Sequence, residues 1–80
     1  MPRLYFHFHD GIDMMLDEGG NDIPVEQIVA RALVEARAII ADEVLRGRID
    51  LRPRIDVQDG DGTVVHRLCF VDAVKIIRSD

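Results

Sequence analysis

Residues 3–16 read RLYFHFHDGIDMML, and the way this stretch folds back on itself decides the fold. Leu4, Phe6 and Phe8 alternate with Tyr5, His7 and His9, the period-2 pattern of a half-buried strand. Asp10-Gly11 is a turn signal, and IDMML after it reads as a second strand. Opposed residues of an antiparallel pair share a face. A three-residue loop, His9-Asp10-Gly11, sets Phe8 against Ile12, Phe6 against Met14 and Leu4 against Leu16, with His7 beside Asp13 on the other face. This register keeps one face apolar, so a hairpin with His9 in its turn and Gly11 at positive φ is expected.

Outward from the hairpin, DEGGND (residues 17–22) reads as a loop. A helix is predicted from about Pro24 to Arg46, with Pro24 and Glu26 suited to its first turn and Gly47 to its end. Val25, Ile28, Val29, Ala32, Leu33, Ala36, Ile40 and Val44 form one broad apolar stripe at helical spacing. At about 1.5 Å per residue such a helix spans ~34 Å and overhangs a sheet of short strands. A second, narrower seam remains on the side away from the sheet: Ala30, Val34, Ala38, Ala41 and Leu45.

RIDVQ (residues 54–58) is a third strand with Ile55 and Val57 inward, and DGDG (residues 59–62) is a second hairpin turn. TVVHRLCF (residues 63–70) is a fourth strand, and an even-length loop places His66 on the core-facing parity, opposite Ile55. Phe70, Ala73, Val74 and Ile77 predict a short terminal helix over 73–78, with Asp72 as its cap. The class is α+β: one domain over residues 1–80, ββαββ, with a four-stranded, mainly antiparallel sheet and one long helix on one face. A right-handed crossover favours the strand order 2-1-3-4, with a ubiquitin-like arrangement as the competitor.

The net charge of −5 argues against broad binding to nucleic acid or anionic lipid, although Arg46, Arg48, Arg52 and Arg54 cluster after the helix. RNA-binding sheets display two or three aromatics, whereas Tyr5 stands alone on the open face. The single cysteine, Cys69, permits no internal disulfide and reads as a small buried hydrophobe. The N-terminus lacks a signal-peptide core, and no apolar run approaches the ~20 residues of a membrane span. A cytoplasmic location is expected. Three Phe, one Tyr and no Trp make a modest core, which association with a partner would stabilise.

His7-Phe8-His9 carries a real metal-ligand spacing, because two imidazoles on one strand face project together. Asp10 and Asp13 are the nearby carboxylates, and His66 is a distant candidate. A turn position for His9 uncouples its direction from that of His7, so no metal and no cofactor is expected. The candidate set, if a metal were held, is His7, His9 and Asp13. Thr63 and Ser79 are the hydroxyls besides Tyr5, and Cys69 and His66 differ in strand parity, so no nucleophile–base arrangement arises and no enzyme is expected. DGDGTVVHRLCF lacks the twelfth-position Glu and the flanking helices of an EF-hand.

The opening MPRLYFHFHDG, the later DEGG, the segment ARALVEARAIIADEVLRG and the closing LCFVDAVKI together resemble one family, the domain of unknown function 6894. Its members are very short proteins of rhizobia and related Alphaproteobacteria. The resemblance runs over nearly the whole chain. It implies a bacterial, soluble, single-domain protein and brings no activity, catalytic residue or cofactor.

Association remains. A sheet covered on one side leaves an open face expected to carry Tyr5, His7, Met15, Val65 and Cys69 around an apolar centre, with Asp13, Arg54, Asp56 and Arg67. The helix seam is the second contact candidate. The expected function is a small non-enzymatic interaction or regulatory module, a homo-oligomer with a possible further protein partner, with Tyr5, His7, Met15, Val65, Arg67, Val34, Ala38, Ala41 and Leu45 at its interfaces. The alternatives are a metal or small-ligand protein using His7 and His9, and nucleic-acid binding through Arg46–Arg54.

Overall fold

The alternating segment forms β1 (Arg3–His9), and every other strand is laid against it or against its neighbour. The computed structural model describes residues 2–79. After β1 come β2 (Met14–Met15) and β3 (Asn21–Asp22), a 3-10 turn (Val25–Gln27), α1 (Ile28–Leu45), β4 (Arg54–Gln58), β5 (Val64–Cys69) and a second 3-10 turn (Phe70–Asp72). The main sheet runs β2-β1-β4-β5, antiparallel throughout, with β3 also pairing β1. The α+β class and the predicted order therefore hold, with a fifth small strand added. That strand comes from DEGGND, expected to be only a loop: Arg3 faces Asp22 and Leu4 faces Asn21.

The first hairpin has a different register from the expected one. His9 pairs with Met14 and Phe8 with Met15, so the turn is Asp10–Asp13 and His9 stays in the strand. Asp10 sets this turn. Its Oδ1 accepts from the backbone N–H groups of Ile12 and Asp13 at 2.8 and 2.7 Å, and its own N–H donates to the Asp13 carbonyl at 3.1 Å. Gly11 does take positive φ, +96°. Burial could not enforce the expected register, because Ile12, Met14, Met15 and Leu16 are all exposed.

α1 lies on the face of the sheet that carries Leu4, Phe6, Phe8, Ile55, Val57 and Leu68. Ile28, Ala32, Ala36 and Ile40 are its buried line, with Leu33 and Ile39 half-buried beside them. The predicted stripe is thus narrower than its sequence. Val25, Val29 and Val44 stay exposed, as expected of a helix longer than its support. The helix ends in a Schellman motif: Arg48 N–H donates to the Glu43 carbonyl at 3.2 Å and Gly47 N–H to the Val44 carbonyl at 2.9 Å. Gly47 takes φ +87°, a conformation that costs an L side chain about 1–2 kcal/mol.

Val57 and Phe70 are the largest fully buried side chains. Phe70 N–H donates to the Pro53 carbonyl at 3.0 Å, which closes β5 onto the chain before β4. The short terminal helix is a single 3-10 turn at Phe70–Asp72, and residues 74–79 form no regular structure. Ala73 is buried and its carbonyl accepts from Arg37 Nε at 2.8 Å, so helix continuation is exchanged for a tether to α1. Ile76 and Ile77 are left exposed.

Candidate functional site

The uncovered face of the sheet carries Tyr5, His7 and His9 from β1, Arg54 and Asp56 from β4, and Arg67 and Cys69 from β5. Its centre is ionic where an apolar one was expected. Asp56 lies on the middle strand between His7 and Arg67, and it is only 3 % exposed. Arg67 Nε donates to its carboxylate at 2.7 Å and Arg54 Nε at 3.2 Å. Burial pushes the Asp56 carboxyl up, but the hydrogen bonds from Arg67 and Arg54 outweigh it and hold the group below the usual carboxylate range.

His7 is buried on this face beside Asp56, with its ring stacked on Tyr5 at 6.2 Å between centroids. Its Nδ1 accepts from the Asp17 N–H at 3.0 Å, so the neutral ring carries its proton on Nε2. The Asp17 carboxylate in turn accepts from Phe6 N–H at 3.2 Å and Gly20 N–H at 3.1 Å. The DEGG loop is thereby stapled to β1 between the short β2 and β3. Sequence reasoning missed Asp17; its one signal was an acid placed before Gly19-Gly20, where a side chain can cap backbone donors.

The candidate metal residues are not assembled. His7 and His9 share a strand face, closer in direction than a turn position for His9 would allow, but His7 Nδ1 is occupied and Asp13 sits in the Asp10–Asp13 turn, not beside His7. Among the described residues there is no group of three His, Cys, Asp or Glu side chains able to hold a metal. His66 lies on the helix side as its parity predicts, but opposite Val57 instead of Ile55. Its Nε2 and the Nδ1 of His9 are buried without a hydrogen-bond partner among the described residues. Cys69 is a half-buried free thiol across from Arg54, less enclosed than expected.

Of the expected contact residues, Met15 is displaced. It pairs with Phe8 and so belongs to the helix side of the sheet, at its exposed edge. Tyr5 is half-buried, while Val65 and Arg67 are exposed near the outer edge of β5. The ladder shifts between Val57 and Gln58, so that Gln58 meets Val64 and Val65 becomes the extra residue of a bulge. On α1, Val34, Ala38, Ala41 and Leu45 are all exposed.

Each arginine of the 46–54 cluster is matched by a carboxylate: Arg46 by Asp42 at 3.1 Å, Arg48 by Glu43, Arg52 by Asp50 at 3.0 Å, Arg54 by Asp56. The patch thus has little charge to offer a phosphate backbone. Asp50, gripped by the Arg52 side chain and backbone N–H, is held down at about 2.

At the end of the molecule where α1 terminates, a cleft of about 220 Å³ opens between the first hairpin, the helix and the 48–53 segment. Phe8, Ile39, Ile40, Pro53 and Phe70 line it, with Phe8 stacked on Phe70 at 5.7 Å. Glu43, Arg48, Asp50 and Asp10 supply its polar groups. The sequence reading did not find this cleft, because its walls come from four separated segments.

No helix among the described residues is long and apolar enough to cross a membrane. No curated protein and no solved structure matches the chain. A family model, the domain of unknown function DUF6894, matches residues 3–71, which covers the whole sheet, α1 and the Asp17 staple, and the chain belongs to that family.

Proposed function

We propose that the protein is a non-enzymatic interaction module that acts in the cytoplasm as a homo-oligomer, with the outer face of α1 as the contact between copies. The observation that carries this reading is the exposure of Val34 (63 %) and Leu45 (86 %) on the helix side diametrically opposite the line Ile28, Ala32, Ala36, Ile40. At 3.6 residues per turn, Ala30, Val34, Ala38, Ala41 and Leu45 fall on one strip. The alanines let a second helix approach to the short end of the usual 8–10 Å axial distance. The flanking charges have partners within the chain: Arg31 pairs with Glu35, Arg46 with Asp42, and Arg37 donates to the Ala73 carbonyl.

The wider balance agrees. Among the described residues, fifteen large apolar side chains are exposed, against eleven core residues of which three are alanines. A chain with that ratio gains more from association than a well-filled monomer does. The ionic groups of the open sheet face are committed to one another, which supports a structural role for them over a catalytic one.

Light scattering across a concentration series tests the reading, with Val34→Glu as the variant. The expected result is an assembly larger than one chain at micromolar concentration, dissociated or unfolded by a carboxylate forced into the contact. A monomer at high concentration, with Val34→Glu shifting stability by no more than about 0.5 kcal/mol, overturns it.

A further inference from the structure

The end cleft lies away from the helix strip, and its chemistry is distinct. We propose that it binds a small hydrophobic organic cation, a compact ring or branched alkyl group bearing an ammonium. One wall is apolar: Phe8 lies nearly parallel to Phe70, 5° between ring planes, with Ile39, Ile40 and Pro53 around the pair. An apolar cavity of about 150 Å³ accepts benzene. At about 220 Å³ this cleft has room for a ring and a short substituent.

The charge of the ligand follows from the polar groups. Glu43 is matched by Arg48 and Asp50 by Arg52. Asp10 is different. One carboxylate oxygen accepts from the Ile12 and Asp13 N–H groups, and no cation lies within ion-pair distance of Asp10 among the described residues. Those two N–H donors hold the Asp10 carboxyl below its usual range, so it is charged at neutral pH. An adjoining hollow of about 380 Å³, lined also by Gly11, Ile12 and Arg52, shares Asp10, Arg48 and Asp50 with the cleft and leaves the Asp10 carboxylate approachable from outside. Glu43 and Asp50 are balanced by Arg48 and Arg52, so the turn-fixed Asp10, which has no ion pair of its own, leaves the mouth one net negative charge, and an apolar wall beside it selects a ligand with an apolar body and one positive charge.

The test is a titration of the full chain, followed by NMR, with three probes of one shape: benzylammonium, benzyl alcohol and benzoate. Benzylammonium is expected to shift the Phe8, Ile39 and Phe70 signals at millimolar concentration, with benzyl alcohol weaker and benzoate weakest. Asp10→Asn keeps a side-chain oxygen for the Ile12 and Asp13 donors and removes the charge. It should weaken benzylammonium about tenfold and leave benzyl alcohol unchanged. An unchanged circular dichroism spectrum and melting temperature show that the variant keeps its fold. Equal binding of the three probes, an Asp10→Asn variant that retains full affinity, or no shift of the cleft residues overturns the proposal.

Discussion

The Asp17 backbone N–H donates to His7 Nδ1 at 3.0 Å, and this contact anchors the glycine-rich loop to the first strand. It works only while Nδ1 is bare. Asp56 faces His7 from β4, with Arg54 and Arg67 bound to it, and Tyr5 and His9 flank it on β1. His7→Phe removes this acceptor and should therefore quicken amide exchange of Asp17 relative to the wild-type chain at one pH. An Asp17 exchange rate unchanged by His7→Phe would show that the contact does not anchor the loop.

Asp17→Ala removes the acceptor of two backbone donors, Phe6 N–H and Gly20 N–H. At about 0.5–1.5 kcal/mol for each hydrogen bond lost, destabilisation of about 1–3 kcal/mol is expected in urea unfolding. The exchange protection of Phe6 and Gly20 should fall together. Loss at Gly20 alone would mean that the loop, but not the strand edge, relies on Asp17.

Gly20→Ala meets two obstacles at one position. The backbone has φ +68°, and an added Cβ would lie 2.8 Å from Tyr5 Cε2 and 2.9 Å from Arg3 Cγ. The positive φ alone costs about 1–2 kcal/mol, and displacing Tyr5 from His7 adds to it. Gly19→Ala next door has open space and ordinary φ, and should be close to neutral. Equal melting temperatures for the two variants would contradict this assignment.

Asp56→Asn tests the ionic centre. Removing one partner of a fully buried pair costs about 3–5 kcal/mol. Both guanidiniums here reach solvent, with 34 % and 53 % of their side chains exposed, so about 2–3 kcal/mol is expected. The pH sign follows from a folded pKa held below the unfolded one. The stabilisation is complete above the unfolded value of about 3.9 and is lost as pH falls through the lowered folded value. The wild-type chain should lose stability over that acid range, and the variant should show a shallower fall. Parallel acid profiles would remove Asp56 as a cause.

Zinc should leave the melting temperature of the chain unchanged, because His7 Nδ1 is engaged and Asp13 sits in the Asp10–Asp13 turn, away from the His7 pairing position. Zinc retained at one ion per chain and lost in His7→Ala would reverse this reading.

The sequence by itself determined the elements whose burial is periodic. The alternation of Leu4, Phe6 and Phe8, the helical line Ile28 to Ile40 and the inward Ile55 and Val57 each have one low-energy way to face a core, so class, strand order and the covered face were legible. Gly47 was legible as a helix end for the same local reason. Where side chains stay exposed, the pattern carries no energy. The hairpin register was decided by the Asp10 carboxylate on two backbone donors, not by Ile12 or Met14, which are exposed in it. The terminal helix lost to a 3-10 turn because Ala73 is held by Arg37 from α1. Asp17 on His7, Arg67 on Asp56 and the Phe8–Phe70 cleft join residues 10 to 62 positions apart in the chain. Only the tertiary structure brings such groups within hydrogen-bonding or van der Waals range, and no spacing along the chain encodes that approach.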